Sequence, residues 1–362
     1  MTHQMKAAVY HGLEDLRIEE LAVPQIGEDD ILLKVAACAV CGTDVRIFRH
    51  GHKNVHPPQI VGHEISGVVE KAGKKVRGYA EGDRVVVDPI VACGGCYYCR
   101  KGLTNLCLEF KKTTEAFGWV YPGGFAEYMR IPGKAIQRGN LIKIGDRISD
   151  QEAAIAEPMA CALNGQVMSQ VGIGDRVLII GAGPIGCMHI SLARVLGATR
   201  VIVSELRPDR LDLARQFEAD RYVDPAREDL RQVLLEETDG LGPSVIIIAA
   251  PARKAQETSL EIAANHARIN FFGGLPMDDH MARLDSNLVH YKELHIHGTS
   301  GTTNSHIRTC LELMNGRRID GNRFVSKVIG LEELPQMMAE AGSGNHLKIV
   351  VTPHQGRGEA IP

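Results

Sequence analysis

At 362 residues the chain is too long for one ordinary core, and 44% hydrophobic with 23% charged residues is a folded rather than a disordered composition. A net charge of −3 gives no electrostatic case for nucleic acid or an anionic membrane. The longest apolar runs, at 177–180 and 245–250, are strand-sized, so no span is expected.

Up to residue 149 the chain is punctuated by glycine and reads as short strands, at 6–10, 31–37, 65–71 and 84–89, with apolar and polar residues alternating over 16–21. No long helical pattern interrupts them, which predicts a compact β-rich lobe. Ser149 with Glu152 three residues on has the form of a capping box and marks a helix start. Beyond it strands and helices alternate. A strand at 177–180 is followed by a helix at 184–196, a strand at 200–204 and a helix from 209 to about 217; further strands fall at 221–223, 245–250, 269–272 and 294–297. Six strands with intervening helices suit a doubly wound dinucleotide-binding sheet, so the expected class is α/β. A helix at 305–315, a strand at 347–352 and a polar tail complete the chain.

Nine cysteines are present, and Cys93, Cys96, Cys99 and Cys107 follow the spacing C-x2-C-x2-C-x7-C. Four thiolates close the tetrahedral shell of zinc and leave no position for substrate, so this is a candidate structural zinc site. Iron–sulfur ligation is the rival, but its usual three-residue step to a fourth cysteine followed by proline is absent. Four unliganded core cysteines are the bland alternative. Cysteines at metal spacing, with no leader pattern in MTHQMKAAVYHG, lead us to expect a reducing cytoplasm.

Three further pieces are each weak alone: Cys41-Gly42-Thr43-Asp44, Gly62-His63-Glu64 and Ala156-Glu157-Pro158. A lone cysteine is usually core, a lone histidine usually satisfied, a lone glutamate usually on the surface. Together they supply thiolate, imidazole and carboxylate, the three protein ligands that a catalytic zinc takes while keeping a fourth position open.

Gly181-Ala182-Gly183-Pro184-Ile185-Gly186 follows a strand and opens a helix, the context a dinucleotide fingerprint requires. Gly181 permits the tight turn, Gly183 lets a pyrophosphate approach the backbone, and Gly186 allows close helix–strand packing. Pro184 and Ile185 begin the helix whose N-terminus faces the phosphates. Glu205, at the end of the second strand, suits the adenosine ribose hydroxyls and would repel a 2′-phosphate. Arg207 and Arg210 cut the other way, since arginines can hold that phosphate. Gly273-Gly274-Leu275 either passes the nicotinamide or is a plain turn.

In order and spacing these pieces resemble the zinc-containing medium-chain dehydrogenase/reductase family over residues 5–352. The carboxylates at Glu64 and Glu157 make the chain similar to its sorbitol (polyol) and threonine dehydrogenase branch; familiar alcohol dehydrogenases carry a second cysteine where Glu157 stands. The resemblance implies a GroES-like catalytic domain of 1–157 and 299–362 and a Rossmann domain of 158–298. It implies two zinc ions per chain, NAD (with Arg210 as its companion), and a homo-oligomer, dimer or tetramer. Cys41 and His63 would be ligands of the catalytic zinc. Of Glu64 and Glu157, one would bind it directly and the other exchange with water. Cys161 matches no ligand position.

A secondary alcohol does not ionise at neutral pH, whereas zinc lowers the pKa of a bound hydroxyl by many units, as it takes water from 15.7 to about 7. Thr43, two residues after Cys41, would take the alcohol proton, with Glu157 its possible alternate. The branch commonly has a histidine five residues after the first cysteine, where this chain has Arg46, so the relay beyond Thr43 is open. His50, His52 and His56 read as one solvated loop. The expected reaction is hydride transfer between a secondary alcohol, a polyol or sugar alcohol, and NAD. L-Threonine and sugar-alcohol phosphates are the alternative substrates, and a non-catalytic dinucleotide-binding relative the alternative class.

Overall fold

The computed structural model describes residues 4–340 and 346–354. The chain divides into two compact units, one running to Ala160 and resuming at Thr302, the other spanning Cys161–Gly301.

The first unit is β-rich. A mixed sheet takes the order Val325–Ile329, Lys348–Val351, Ile31–Ala39, Glu64–Ala72, Arg84–Val87 and Leu141–Lys143, with Tyr128–Ile131 also paired to Ile31–Ala39. A smaller antiparallel sheet joins Asp15–Ala22, Gln4–Gly12 and Gln59–Ile60. Alternate residues of Ile31–Ala39 (Ile31, Leu33, Val35) are fully buried, the period-two pattern of a strand with one face on a core. Ile31, Leu33, Ile65, Val85, Phe117 and Phe125 belong to that core.

The expected uninterrupted lobe of strands is corrected at Gly42–His50, which is a helix with Cys41 at its N-cap. Only Asp44, Ile47 and Phe48 of this helix are buried, and one of them is an acid. His50 therefore ends a helix rather than sitting in a loop, while His52 lies beyond it with its ring 4.8 Å from that of Trp119. The capping box at Ser149 and Glu152 is present, and it starts the helix Asp150–Ala154.

The second unit is a six-stranded parallel sheet in the order Arg221–Val223, Arg200–Ser204, Arg176–Ile180, Val245–Ile248, Arg268–Phe271 and His295–Gly298. This is the 3-2-1-4-5-6 order of a Rossmann fold. Val245–Ile248 is buried at every position, as a central parallel strand covered on both faces must be. The polar residues between strands conceal the helices Leu230–Glu237 and Arg253–Ile262, which periodicity had not marked. Among the described residues no helix is long and apolar enough to cross a membrane.

Candidate metal centres and dinucleotide site

One Sγ from each of Cys93, Cys96, Cys99 and Cys107 lies within 4.8 Å of all the others. Cys93 and Cys99 are 3.9 Å apart, against about 3.8 Å for the edge of a tetrahedron with Zn–S near 2.3 Å. The sulfurs accept backbone N–H groups, Cys93 N to Cys107 at 3.2 Å and Cys96 N to Cys93 at 3.3 Å. N–H groups of Cys99 and Leu108 pull Cys96 down to about 6, whereas burial and the adjoining sulfurs push Cys99 up to about 12. Crowded sulfurs that resist shared ionisation are what a dication relieves. The residues fit zinc.

The second cluster is held together by an acid that sequence reasoning passed over. Asp44, fully buried, accepts the Cys41 N–H at 2.9 Å as the third residue of a capping box. Its other oxygen takes the Gly62 N–H at 3.3 Å and lies 3.3 Å from His63 Nδ1. Asp44 thus pins the two ligand-bearing segments to each other. The C-x-x-D spacing was the available signal, a capping box with cysteine in place of serine. Gly62 has φ +92°, and a Cβ there would meet Cys38 Sγ and the Phe125 ring at 2.9 Å, so His63 is delivered by a turn only glycine makes.

Ligand atoms of Cys41, His63 and Glu64 all lie within 4.8 Å of one another. His63 Nδ1 is buried and makes no hydrogen bond. Burial alone would lower the His63 pKa, but Asp44 and Cys41 outweigh it and hold it well above the usual imidazole value. That is a field favouring a cation, and the donor set of thiolate, imidazole and carboxylate suits zinc. Glu157, on the helix Ala156–Met168, is buried but outside this cluster. It is near enough to raise the pKa of Glu64, behind the larger effects of burial and Lys348, and to add to the upward push of burial on Asp88, which stands at about 7. Both Glu64 oxygens are held by Lys348, a residue the sequence reading did not single out. Its signal was a lysine inside the apolar run Leu347–Val351. Thr43 is half-buried in the first turn of the Gly42–His50 helix, and Cys161 is half-buried on Ala156–Met168.

In the second unit Gly181 follows the strand Arg176–Ile180 with φ +103°, and Pro184 is the first residue of the helix Pro184–Val195, which includes Ile185. A Cβ on Gly186 would overlap Gly181 O, while one on Gly183 would meet nothing within 4 Å. Gly186 is thus glycine for packing, and Gly183 leaves open backbone at the helix N-terminus, where phosphate is favoured. Glu205 accepts the Ala182 N–H at 2.8 Å and the Arg207 N–H at 3.0 Å, folding the carboxylate over the glycine turn. The Arg207 guanidinium pairs with Asp209 at 2.5 and 3.1 Å. Arg210 is half-buried on Pro208–Ala214, and Leu275 half-buried in the loop after Arg268–Phe271.

Residues 27–149 match the alcohol dehydrogenase GroES-like domain, and residues 184–316 match the zinc-binding dehydrogenase domain. L-Threonine 3-dehydrogenase of Pyrococcus horikoshii is 35% identical over 301 residues, 82% of each chain. The enzyme of that name from Mesorhizobium japonicum is 31% identical over 97% of this chain and 99% of its own. A zinc-binding dehydrogenase of Sinorhizobium meliloti, solved bound to NADP, has a TM-score of 0.88 at 31% identity, covering 97% of this chain and 100% of that one. Galactitol-1-phosphate dehydrogenase of Escherichia coli has a TM-score of 0.85 at 25% identity, covering 96% and 100%. A GroES-like unit with two metal-ligand groups and a Rossmann unit with a glycine turn define a zinc-type, NAD(P)-binding oxidoreductase. The chain belongs to the zinc-containing medium-chain dehydrogenase/reductase family.

Proposed function

We propose that the protein oxidises a secondary alcohol of a polyol or sugar alcohol with NAD, and that the observation carrying this is the Cys41–His63–Glu64 cluster braced by Asp44. In this reading the first unit is the catalytic domain and the second the coenzyme domain. Cys41, His63 and a carboxylate, Glu64 or Glu157, would hold the catalytic zinc, and Cys93, Cys96, Cys99 and Cys107 the structural one. When bound, zinc acidifies a coordinated hydroxyl and the nicotinamide accepts a hydride, so the substrate loses one proton and one hydride as its carbinol becomes a carbonyl. Thr43 accepts the proton at its hydroxyl oxygen as it passes its own hydroxyl proton on toward solvent. Asp44 fixes the Cys41 and Gly62 backbones, and Lys348 neutralises Glu64. Glu205 supports NAD, because its carboxylate caps the glycine turn where a 2′-phosphate would meet like charge, and because Arg207 is committed to Asp209. A cytoplasmic homo-oligomer is part of the same reading.

The names of the curated relatives favour a second substrate, L-threonine. Initial rates with NAD and with NADP on hexitols, vicinal diols, sugar-alcohol phosphates and L-threonine separate the two. A polyol class turned over with NAD supports the first reading. Turnover confined to L-threonine replaces it, and preference for NADP removes the coenzyme assignment.

A further inference from the structure

Three aromatic rings run between the two metal clusters of the first unit. Cys107, a sulfur of the cysteine lobe, caps the helix Leu108–Thr113 by accepting the Phe110 N–H at 3.5 Å. The Phe110 ring is stacked on Trp119 with centroids 6.2 Å apart, and the Trp119 ring lies 4.8 Å from that of His52. Trp119 packs against both cores of the unit, the small one of the lobe and the large one between the sheets, and its carbonyl is held by Gln59 Nε2 at 2.5 Å. His52 is built into the turn after the Gly42–His50 helix. Its Nδ1 accepts the Asn54 N–H at 3.3 Å and its carbonyl the Val55 N–H at 3.0 Å. Gly51, the C-cap, closes the same helix on Ile47 O at 2.9 Å.

We propose that the Phe110–Trp119–His52 contacts couple metal binding in the cysteine lobe to the turn that ends the Gly42–His50 helix, which makes Phe110 and Trp119 positioning residues for the Cys41–His63 centre at the start of that helix. That this centre is the reacting one rests on the function proposed above; the coupling does not. Six residues are too few for a helix to hold itself in water, so Leu108–Thr113 depends on its cap at Cys107 and on the lobe core of Ala92, Cys107, Phe110 and Ala116. That core is small, and the metal is what holds four sulfurs together around it. A lobe without metal lets Phe110 leave Trp119, and Trp119 then no longer fixes the ring of His52.

Amide exchange reads such loosening segment by segment and without turnover. It is measured by mass spectrometry on the zinc-loaded protein, wild type against Cys99→Ser, which breaks the lobe site, and Phe110→Leu, which keeps all four sulfurs and removes the ring. Both should speed exchange over residues 51–55 at least about 10-fold, while the strand Val245–Ile248 of the second unit keeps its wild-type protection. In a Trp119→Ala background neither should add to the exchange over 51–55, and Trp119→Phe, which keeps a ring, should restore the response. Wild-type exchange over 51–55 in Phe110→Leu, or a Cys99→Ser effect as large with Trp119→Ala as without it, overturns the coupling. In parallel, Phe110→Leu should raise the KM for the alcohol with kcat and zinc content nearly unchanged. Faster exchange with an unchanged KM overturns the positioning role. The expected exchange pattern in a protein that oxidises no alcohol keeps the coupling and removes the dehydrogenase reading.

Discussion

Lys348 Nζ stands 2.5 Å from Oε1 and 2.6 Å from Oε2 of Glu64, joining residues 284 positions apart in a site where both side chains are buried. The third donor of the ammonium goes to Val40 O at 3.1 Å, on the residue just before Cys41. Desolvation opposes charge on Lys348, but Glu64, Cys41 and Glu157 outweigh it and keep the lysine pKa above its usual value. The pair therefore ties the last strand of the first unit to the carboxylate of the candidate catalytic cluster.

Removing one member of a buried pair leaves the other charged in a low-dielectric site. Lys348→Met should destabilise the protein by about 3–5 kcal/mol, and Glu64→Gln in the same chain should recover much of that loss. Urea unfolding of the zinc-loaded variants measures both. A single variant as stable as the wild type would mean that the two groups are not ionised together.

The two cysteine-containing clusters should differ in what their loss does. Cys99 sits in a lobe whose small core is Ala92, Cys107, Phe110 and Ala116, too little apolar surface to hold shape without a cross-link. Cys99→Ser should therefore lower the unfolding temperature and release one zinc. His63→Ala should abolish turnover, release the other zinc and leave circular dichroism unchanged. Elemental analysis of the wild type should return two zinc ions per chain; one or none would contradict the assignment.

His189 lies on the helix Pro184–Val195, wholly buried, with its ring 4.7 Å from Phe272 and Nδ1 3.2 Å from Gln166 Nε2. Burial pushes its pKa from 6.5 down to about 3. The unfolded chain thus binds a proton here that the folded one refuses, so this contribution is intact above pH 6.5 and is lost as pH falls toward 3. Through that window it costs up to about 1.4 kcal/mol per pH unit. His189→Met should flatten the stability-versus-pH curve by about one proton between pH 6 and 4. Parallel wild-type and variant curves would show that the histidine is not held neutral.

The parts legible in sequence were those whose chemistry is local. The four cysteines span fifteen residues and the glycine turn six, so spacing alone carried them, and the central Rossmann strands declared themselves as apolar runs such as Val245–Ile248. The Gly42–His50 helix was hidden because its buried face is Asp44, Ile47 and Phe48, and a buried acid breaks the apolar period on which helix recognition rests. Lys348 was hidden for the opposite reason. An alternating strand predicts that a lysine faces solvent, and only the pairing of Lys348–Val351 beside Ile31–Ala39 turns it onto Glu64.

Thr43 is the point where the proposed chemistry is most exposed to test. It occupies the first turn of the helix that Cys41 caps, half-buried, with Asp44 beside it pinning the backbone. If its hydroxyl takes the alcohol proton, Thr43→Val should cut turnover roughly 10²–10⁴-fold, the value of a positioned acid–base group, while zinc and NAD stay bound. Thr43→Ser keeps the hydroxyl and should retain far more activity. A residue that only braced the helix start would give the reverse order, because valine preserves the branched shape and serine does not. Turnover of both variants at saturating NAD, with zinc content measured on the same samples, separates the two roles. Valine outperforming serine would move the proton acceptor away from Thr43, and Glu157, buried and close enough to influence both Glu64 and Asp88, would be the next group to replace.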